Sequence, residues 1–198
     1  MKTIKFSVIT LFLACVPLFF ASCDKIKDLT TIEVELGKVS FDIPLEFDAK
    51  QSSSLLKSVN AEFARFSGQS EPLNLQSDMF EELSEYSGSS IVFLVSEVKL
   101  KITTTGESGT IVKDFSSITT GADKDLNYTK EGTIDLETEY SDAALTTYIK
   151  DVFSAIQDNK TIVVNVEGKT DIVPSGINGA EVTVITIIPT LKAKIKLL

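Results

Sequence analysis

Apolar and polar residues alternate along much of this chain, beginning near residue 32. Apolar side chains at residues 32, 34 and 36 are separated by glutamates, which is the two-residue period of a half-buried strand. After Gly37 the apolar positions change phase and continue through residues 39–47. Because a one-residue shift turns every side chain of a strand to the other face, we expect a β-bulge or tight turn at Gly37. Pro44 lacks a backbone donor and predicts an edge strand or a break in pairing.

Further strands follow from the same period. They are predicted at residues 58–66, 91–104, 133–139, 162–166, 182–188 and, beyond Pro189, 191–197. The first of these segments also fits a helix face, and we favour the strand. Residues 91–104 give the clearest pattern, with Val92 and Leu94 expected on the same face as Val98. The first half of that strand is apolar on both faces, so we expect it to be covered on both sides.

Two helices are predicted between strands. The first begins at Ser77 and Asp78 and ends at Gly88, with apolar residues at helical spacing between them. The second follows Ser141, which is expected to be its N-cap, with Asp142 in the first turn. Its apolar positions follow the helical period from residue 145 to residue 156.

The strands are not regularly interleaved with helices, which argues against a parallel, doubly wound sheet. The order of elements predicts a mainly β fold: an antiparallel β-sandwich of about eight or nine strands with two short helical insertions. Residues 32–198 are expected to form a single domain, long enough to bury a core without disulfides.

The N-terminal segment has a different character. Lys2 and Lys5 precede an almost wholly apolar run at residues 6–20, and the small residues Ala21 and Ser22 come immediately before Cys23. The run is shorter than the roughly 20 residues of a spanning helix. The segment resembles the signal peptide of Bacteroidota-type lipoproteins, including their loose sequence before the cysteine.

That resemblance implies that residues 1–22 are removed, that Cys23 is acylated, and that residues 23–31 form a tether. The protein would then be lipid-anchored in the cell envelope, with the outer membrane as the expected location and its periplasmic or surface face left open. The alternative is a plain signal peptide, or an uncleaved anchor helix, with an incidental cysteine.

Composition narrows the classes of function. The chain has a formal net charge of −9, and loss of Lys2 and Lys5 with the signal segment would leave −11, so nucleic acid is not expected as a partner. The chain contains no histidine, which excludes Ser-His and Cys-His nucleophile systems. No cofactor is predicted.

One loop has the spacing of a calcium ligand set. Asp123, Asp125 and Asn127 are separated by single residues, as in a calcium-binding loop. The glycine and the final carboxylate that such a loop requires are replaced by Tyr128 and Ile134. The pattern therefore favours a solvated acidic loop, within a polar segment at residues 121–132, over a metal site.

Two runs of charged residues have the residue types of a functional site. Asp135, Glu137 and Glu139 are expected on one face of a strand, where paired carboxylates could serve glycoside chemistry but more often form the wet face of a sheet. Residues 192, 194 and 196 are lysines, which fit a solvent-facing strand and discourage aggregation at a sheet edge. Neither run predicts catalysis.

Three functions remain. The first is a lipid-anchored binding or assembly module without catalytic activity, whose protein partner meets loops or a free sheet edge near Pro44 and the C-terminal lysines. The second is a carrier of a hydrophobic small molecule or lipid, suggested by the strands that are apolar on both faces. A carboxylate-based hydrolase ranks last.

Overall fold

Nine strands and two helices make up the part of the chain that the structure describes. The computed structural model describes residues 31–47, 63–86, 88–104, 110–171 and 183–197. The strands are β1 (Thr31–Lys38), β2 (Phe41–Phe47), β3 (Ala64–Gln69), β4 (Ser90–Thr104), β5 (Ile111–Thr120), β6 (Leu126–Asp135), β7 (Glu139–Tyr140), β8 (Val163–Thr170) and β9 (Thr183–Lys196). A 3-10 helix spans Asp78–Tyr86, and helix α1 spans Ala143–Gln157. The predicted signal segment, Cys23 and most of the predicted tether lie outside the described residues.

All strand pairs are antiparallel, and the predicted mainly β fold is confirmed. The strands form one continuous sheet in the order β6-β5-β8-β3-β2-β9-β4-β7, with β1 also paired to β9. The two layers expected of a sandwich are therefore two halves of a single sheet, joined through β2. The sheet curls almost into a closed cylinder, because β6 and β7 follow each other in the chain but lie at opposite ends of the strand order. Strand β6 pairs with β5, and β7 pairs with β4.

Strands β1 and β2 behave as their sequence predicts. The pairing of β1 with β9 shifts register between Glu35 and Gly37, and Gly37 has a φ of +68°. This bulge absorbs the change of phase, and a left-handed φ is one that glycine adopts without strain. Pro44 is the last β2 residue paired with β9, and pairing with β3 begins at Leu45. Pro44 thus lies at a break in pairing.

Strand β4 corrects one prediction about faces. A register shift between Val95 and Glu97 inserts an extra residue, Ser96, into its pairing with β9. The buried positions are odd-numbered before this bulge and even-numbered after it. Val95 therefore lies on the same buried face as Val98, whereas Leu94 is 40% exposed. Val92, at 43% exposed, also points outward, so the first half of β4 is covered on one side only.

Three other predictions need correction. Residues 182–188 and 191–197 belong to one strand, β9, which continues through Pro189 and lies between β4 and β1/β2 at the centre of the sheet. Strand β6 begins at Leu126, so half of the predicted polar loop is strand. Strand β3 begins at Ala64 and runs to Gln69, while residues 58–62 of the predicted strand lie outside the described residues.

Helix α1 fills the concave side of the sheet. It contacts β4 and β6 and contributes six buried side chains, namely Leu145, Tyr148, Ile149, Val152, Phe153 and Ile156. The Phe153 ring meets the rings of Phe93 on β4 and Phe80 on the 3-10 helix, with centroids 5.5 Å and 5.8 Å away. Both predicted helices are present, but Asp142, rather than Ser141, is the N-cap of α1.

Candidate functional site

A groove runs between strand β6 and the first half of helix α1. Its volume is about 570 Å³. It is lined on the strand side by Lys124, Asp125, Leu126, Asn127, Tyr128 and Thr129, and on the helix side by Ala144, Thr147, Tyr148 and Asp151. Within the described ranges β6 pairs with β5 alone, so its other edge has no strand partner. Such an edge presents peptide donors and acceptors that can pair with an added strand.

Two tyrosines form the floor of the groove. The rings of Tyr128 and Tyr148 are stacked at an angle of 26° with centroids 6.0 Å apart. The Tyr148 hydroxyl lies 2.8 Å from the Ser117 hydroxyl and 2.5 Å from that of Thr119, all in buried positions. Burial raises the pKa of Tyr148, so the phenol stays neutral. The floor is therefore held by β5 and does not depend on a ligand.

Asp142 ties the start of α1 to the strands around the groove. One carboxylate oxygen accepts a hydrogen bond from the Leu145 amide at 2.6 Å, which is the N-cap contact. The other accepts from the Tyr128 hydroxyl at 3.0 Å and from the Tyr140 hydroxyl. Burial alone would raise the pKa of Asp142, but these hydrogen bonds outweigh it and lower the pKa below its usual value. The carboxylate therefore links the start of α1 to Tyr128 on β6 and Tyr140 on β7.

Two of the candidate calcium ligands, Asp125 and Asn127, line the other end of the groove, whereas Asp123 is not part of its lining. Asp123 and Asp125 are in the turn between β5 and β6, whereas Asn127 is on β6. The Asp123 carboxylate is 2.7 Å from the ammonium of Lys160. Over the described residues no group of three or more His, Cys, Asp or Glu side chains is arranged to hold a metal ion.

Two of the three carboxylates at residues 135, 137 and 139 contact strand β4. Asp135 ends β6, Glu137 lies in the following turn with a φ of 60°, and Glu139 begins β7, so the predicted single strand face is broken by a turn. The Glu137 carboxylate accepts from the Thr104 amide at 2.9 Å. The Glu139 carboxylate is 2.5 Å from Lys99, and this hydrogen bond lowers the pKa of Glu139.

The C-terminal lysines lie on the outer face of the central strand β9. Lys192 is 2.5 Å from Glu35 and Lys194 is 3.1 Å from Glu33, across the pairing with β1. Neither these lysines nor Pro44 lies on a sheet edge, because β9 is paired on both sides and β2 lies between β9 and β3. Within the described residues the neighbouring unpaired edge is that of β1, which pairs with β9 alone. The edge at β6 was missed because the sequence signal, alternation of Leu126 and Tyr128, covers only two apolar positions.

The concave side of the sheet, where a carried molecule would lie, is occupied by α1 side chains. Val152 and Phe153 have no exposed surface. The apolar character of both faces of residues 91–95 has a different origin: one face packs on the helix, and the other is exposed at Val92 and Leu94. Packing therefore accounts for one of the two apolar faces of residues 91–95, and the carrier function stays a prediction.

Comparison with protein-family models, with curated proteins and with solved structures gave no match. Neither helix in the described part of the chain is long and apolar enough to cross a bilayer.

Proposed function

We propose that this protein is a lipid-anchored binding or assembly module of the cell envelope, without catalytic activity, that captures an extended segment of a partner protein. Among the described residues one edge of β6, beside α1, has no strand partner, and this edge carries the proposal. Addition of a strand to an exposed edge, with a helix forming the second wall, is a recurring mode of peptide recognition. Main-chain hydrogen bonds supply affinity, and pockets for alternate side chains supply specificity.

The groove indicates what kind of segment fits. Side chains of an added strand alternate between the two faces, so every second residue would face the exposed Ala144 and Thr147 side chains on α1. Because Tyr128 and Tyr148 are each only 4% exposed, an apolar residue at that position would bury its surface mainly against this helix wall. Asp125 and Asp151 lie at the rim, together with Lys124, which is 4.0 Å from Asp151. The partner is therefore an extended peptide with alternating apolar residues.

Attachment to the membrane through an acylated Cys23 is the second part of the proposal, supported by the charged start, the apolar run and Ala21-Ser22 before the cysteine. The mass of the purified mature chain should equal residues 23–198 plus acyl groups. A Cys23→Ala variant should lose the acyl mass. A mature chain with an unmodified cysteine would refute the anchor.

Peptide capture is tested with the purified lipoprotein and a displayed library of random peptides. A peptide selected on the native chain should slow amide hydrogen exchange in β6. Thr147→Arg, which places a long side chain in the groove, should weaken its binding at least tenfold. Ser154→Arg, two turns further along α1 and outside the groove lining, is the matched control and should leave binding unchanged. Equal binding by both variants, or protection confined to other strands, would refute the site.

A further inference from the structure

The distance from the proposed anchor to the sheet is short. Eight peptide steps separate Cys23 from Thr31, the first residue of β1. At about 3.6 Å per residue when fully extended, they span at most about 29 Å. Whatever course the tether takes, the start of β1 must lie within that distance of the lipid surface.

Three strand ends meet at this point. Thr31 at the start of β1 and Ser90 at the start of β4 are both register partners of Lys196 at the end of β9. The opposite ends of β4 and β9 meet at Thr104 and Thr183. One end of this half of the sheet is therefore close to the anchor, and the other is displaced by the full length of β4.

Exposed apolar side chains concentrate at the same end. Five large hydrophobic residues are exposed in the described part of the chain, and four of them lie in the last few residue pairs of these strands: Ile32, Val92, Leu94 and Leu197. Cross-strand pairing places Val92 opposite Lys194 and Leu94 opposite Lys192. The end nearest the anchor thus combines apolar side chains with lysines.

The lysines matter because of the charge of the whole chain. With a formal net charge of −11 after loss of Lys2 and Lys5 with the signal segment, the anchored protein as a whole would be repelled by anionic lipids. Lys192 and Lys194 have carboxylate partners on β1, but no ion pair found among the described residues involves Lys196. Lysines with adjacent apolar side chains favour contact with phosphate headgroups and the outer part of the acyl layer.

We propose that this end of the sheet docks on the lipid bilayer, so that β4 and β9 stand end-on with Ser90, Lys196 and Leu197 at the membrane. The inference rests on the lipid anchor of the proposed function. It goes further, because the domain would have a fixed orientation and a lipid-binding surface of its own.

Single cysteines test the orientation. The chain has two cysteines, Cys15 in the segment proposed to be removed and Cys23, so the acylated protein has no free thiol. Ser90→Cys and Thr103→Cys introduce one label each on β4, separated by 13 residues or about 43 Å at 3.3 Å per residue. The lipidated protein is reconstituted into vesicles of phosphatidylethanolamine and phosphatidylglycerol that contain a headgroup spin-labelled lipid as a quencher.

The Ser90→Cys label should be quenched several-fold more than the Thr103→Cys label. Equal quenching, or stronger quenching at Thr103→Cys, overturns the orientation. Dye uptake by the chain without an added cysteine would show instead that Cys23 is not acylated, so failure of the anchor and failure of this inference give different results.

A longer tether distinguishes binding of this end of the sheet to the bilayer from simple closeness to the anchor. With twenty glycine and serine residues inserted after Asp28, a docked end should keep the Ser90→Cys label quenched, and loss of quenching overturns the lipid-binding surface. In that background, Lys192→Gln, Lys194→Gln and Lys196→Gln together should abolish quenching. Lys99→Gln with Lys101→Gln, further along the same face, is the matched control and should preserve it. Identical behaviour of the two sets overturns the role of the C-terminal lysines.

Discussion

Replacement of Asp142 by alanine should loosen the start of α1 and the floor of the β6–α1 groove together. The substitution removes the N-cap contact to the Leu145 amide, at 2.6 Å. It also removes the acceptor of the Tyr128 and Tyr140 hydroxyls. Tyr128 is only 4% exposed, so water cannot readily replace its lost partner.

The loss in the free energy of unfolding can be estimated from these contacts. Removal of a helix N-cap costs about 1 kcal/mol. Loss of a hydrogen bond between buried Tyr128 and a charged acceptor adds about 1.5 kcal/mol. The half-buried Tyr140 hydroxyl adds about 0.5 kcal/mol, for a total of about 3 kcal/mol. Asp142→Asn keeps a cap oxygen but loses the charge, so a loss of about 1 to 2 kcal/mol is expected.

Urea unfolding followed by far-ultraviolet circular dichroism measures these values, and tyrosine fluorescence gives a second probe because the chain has no tryptophan. A double-mutant cycle between Asp142→Ala and Tyr128→Phe should give a coupling of about 1 kcal/mol or more. Ser141→Ala is the control and should be nearly neutral, because Asp142 is the N-cap. A loss below about 0.5 kcal/mol for Asp142→Ala, or absence of coupling, would refute the reasoning.

The same carboxylate predicts a dependence on pH. Its pKa in the folded protein is below the usual value of about 4. A lowered folded-state pKa contributes stability that is present above the unfolded pKa and is lost as the pH falls through the folded pKa. The stability difference between the native chain and Asp142→Asn should therefore shrink as the pH is lowered from neutrality below about 4. A difference that is constant with pH would contradict the assignment.

Other substitutions probe the rest of the fold. Gly121→Ala should lower the free energy of unfolding several times more than Gly37→Ala does. Both glycines have a left-handed φ. An added Cβ at Gly121 would lie 2.1 Å from the Thr161 carbonyl oxygen, whereas none of the described atoms lies within 4 Å of an added Cβ at Gly37. Similar urea midpoints for the two variants would contradict this. Tyr148→Phe leaves two buried hydroxyls on β5 short of a partner and should cost about 1 to 3 kcal/mol in the same assay. Phe153→Ala should cost about 3 to 5 kcal/mol, since its ring is fully buried between two others; a smaller loss would show that the core collapses around the cavity. Protease treatment of intact cells should remove the protein if it faces outward and spare it if it faces the periplasm, as judged against a periplasmic control.

The local pattern of apolar and polar residues predicted the strands and helices better than it predicted which strand faces are buried and which strands pair. The Gly37 bulge and the break at Pro44 follow from the phase of apolar residues and from the missing proline donor, both of which are local. The bulge at Ser96 could not be predicted in the same way, because both the odd-numbered and the even-numbered positions before it are apolar. Only pairing with β9 shows that Leu94 is exposed and that the face of Val98 continues through Val95.

The candidate site depended still more on tertiary structure. The sequence pointed to Pro44 and to the C-terminal lysines as an edge, but strand order is set by which strands pair over long separations, and it places β9 in the centre. Tyr128 and Tyr148 were not predicted to meet. They are 20 residues apart on different elements, and their stacking follows from where α1 packs.

By itself the sequence determined the mainly β class, both helices, the bulge at Gly37 and the resemblance of the N-terminus to a lipoprotein signal, because periodicity, special backbone residues and short motifs act over a few residues. Within the described residues, the tertiary structure decided the single curled sheet, the unpaired edge of β6 and the gathering of exposed apolar residues and lysines at the end of the sheet where β1 begins. These features depend on pairing between distant strands and on the space filled by α1, and such contacts have no local signature.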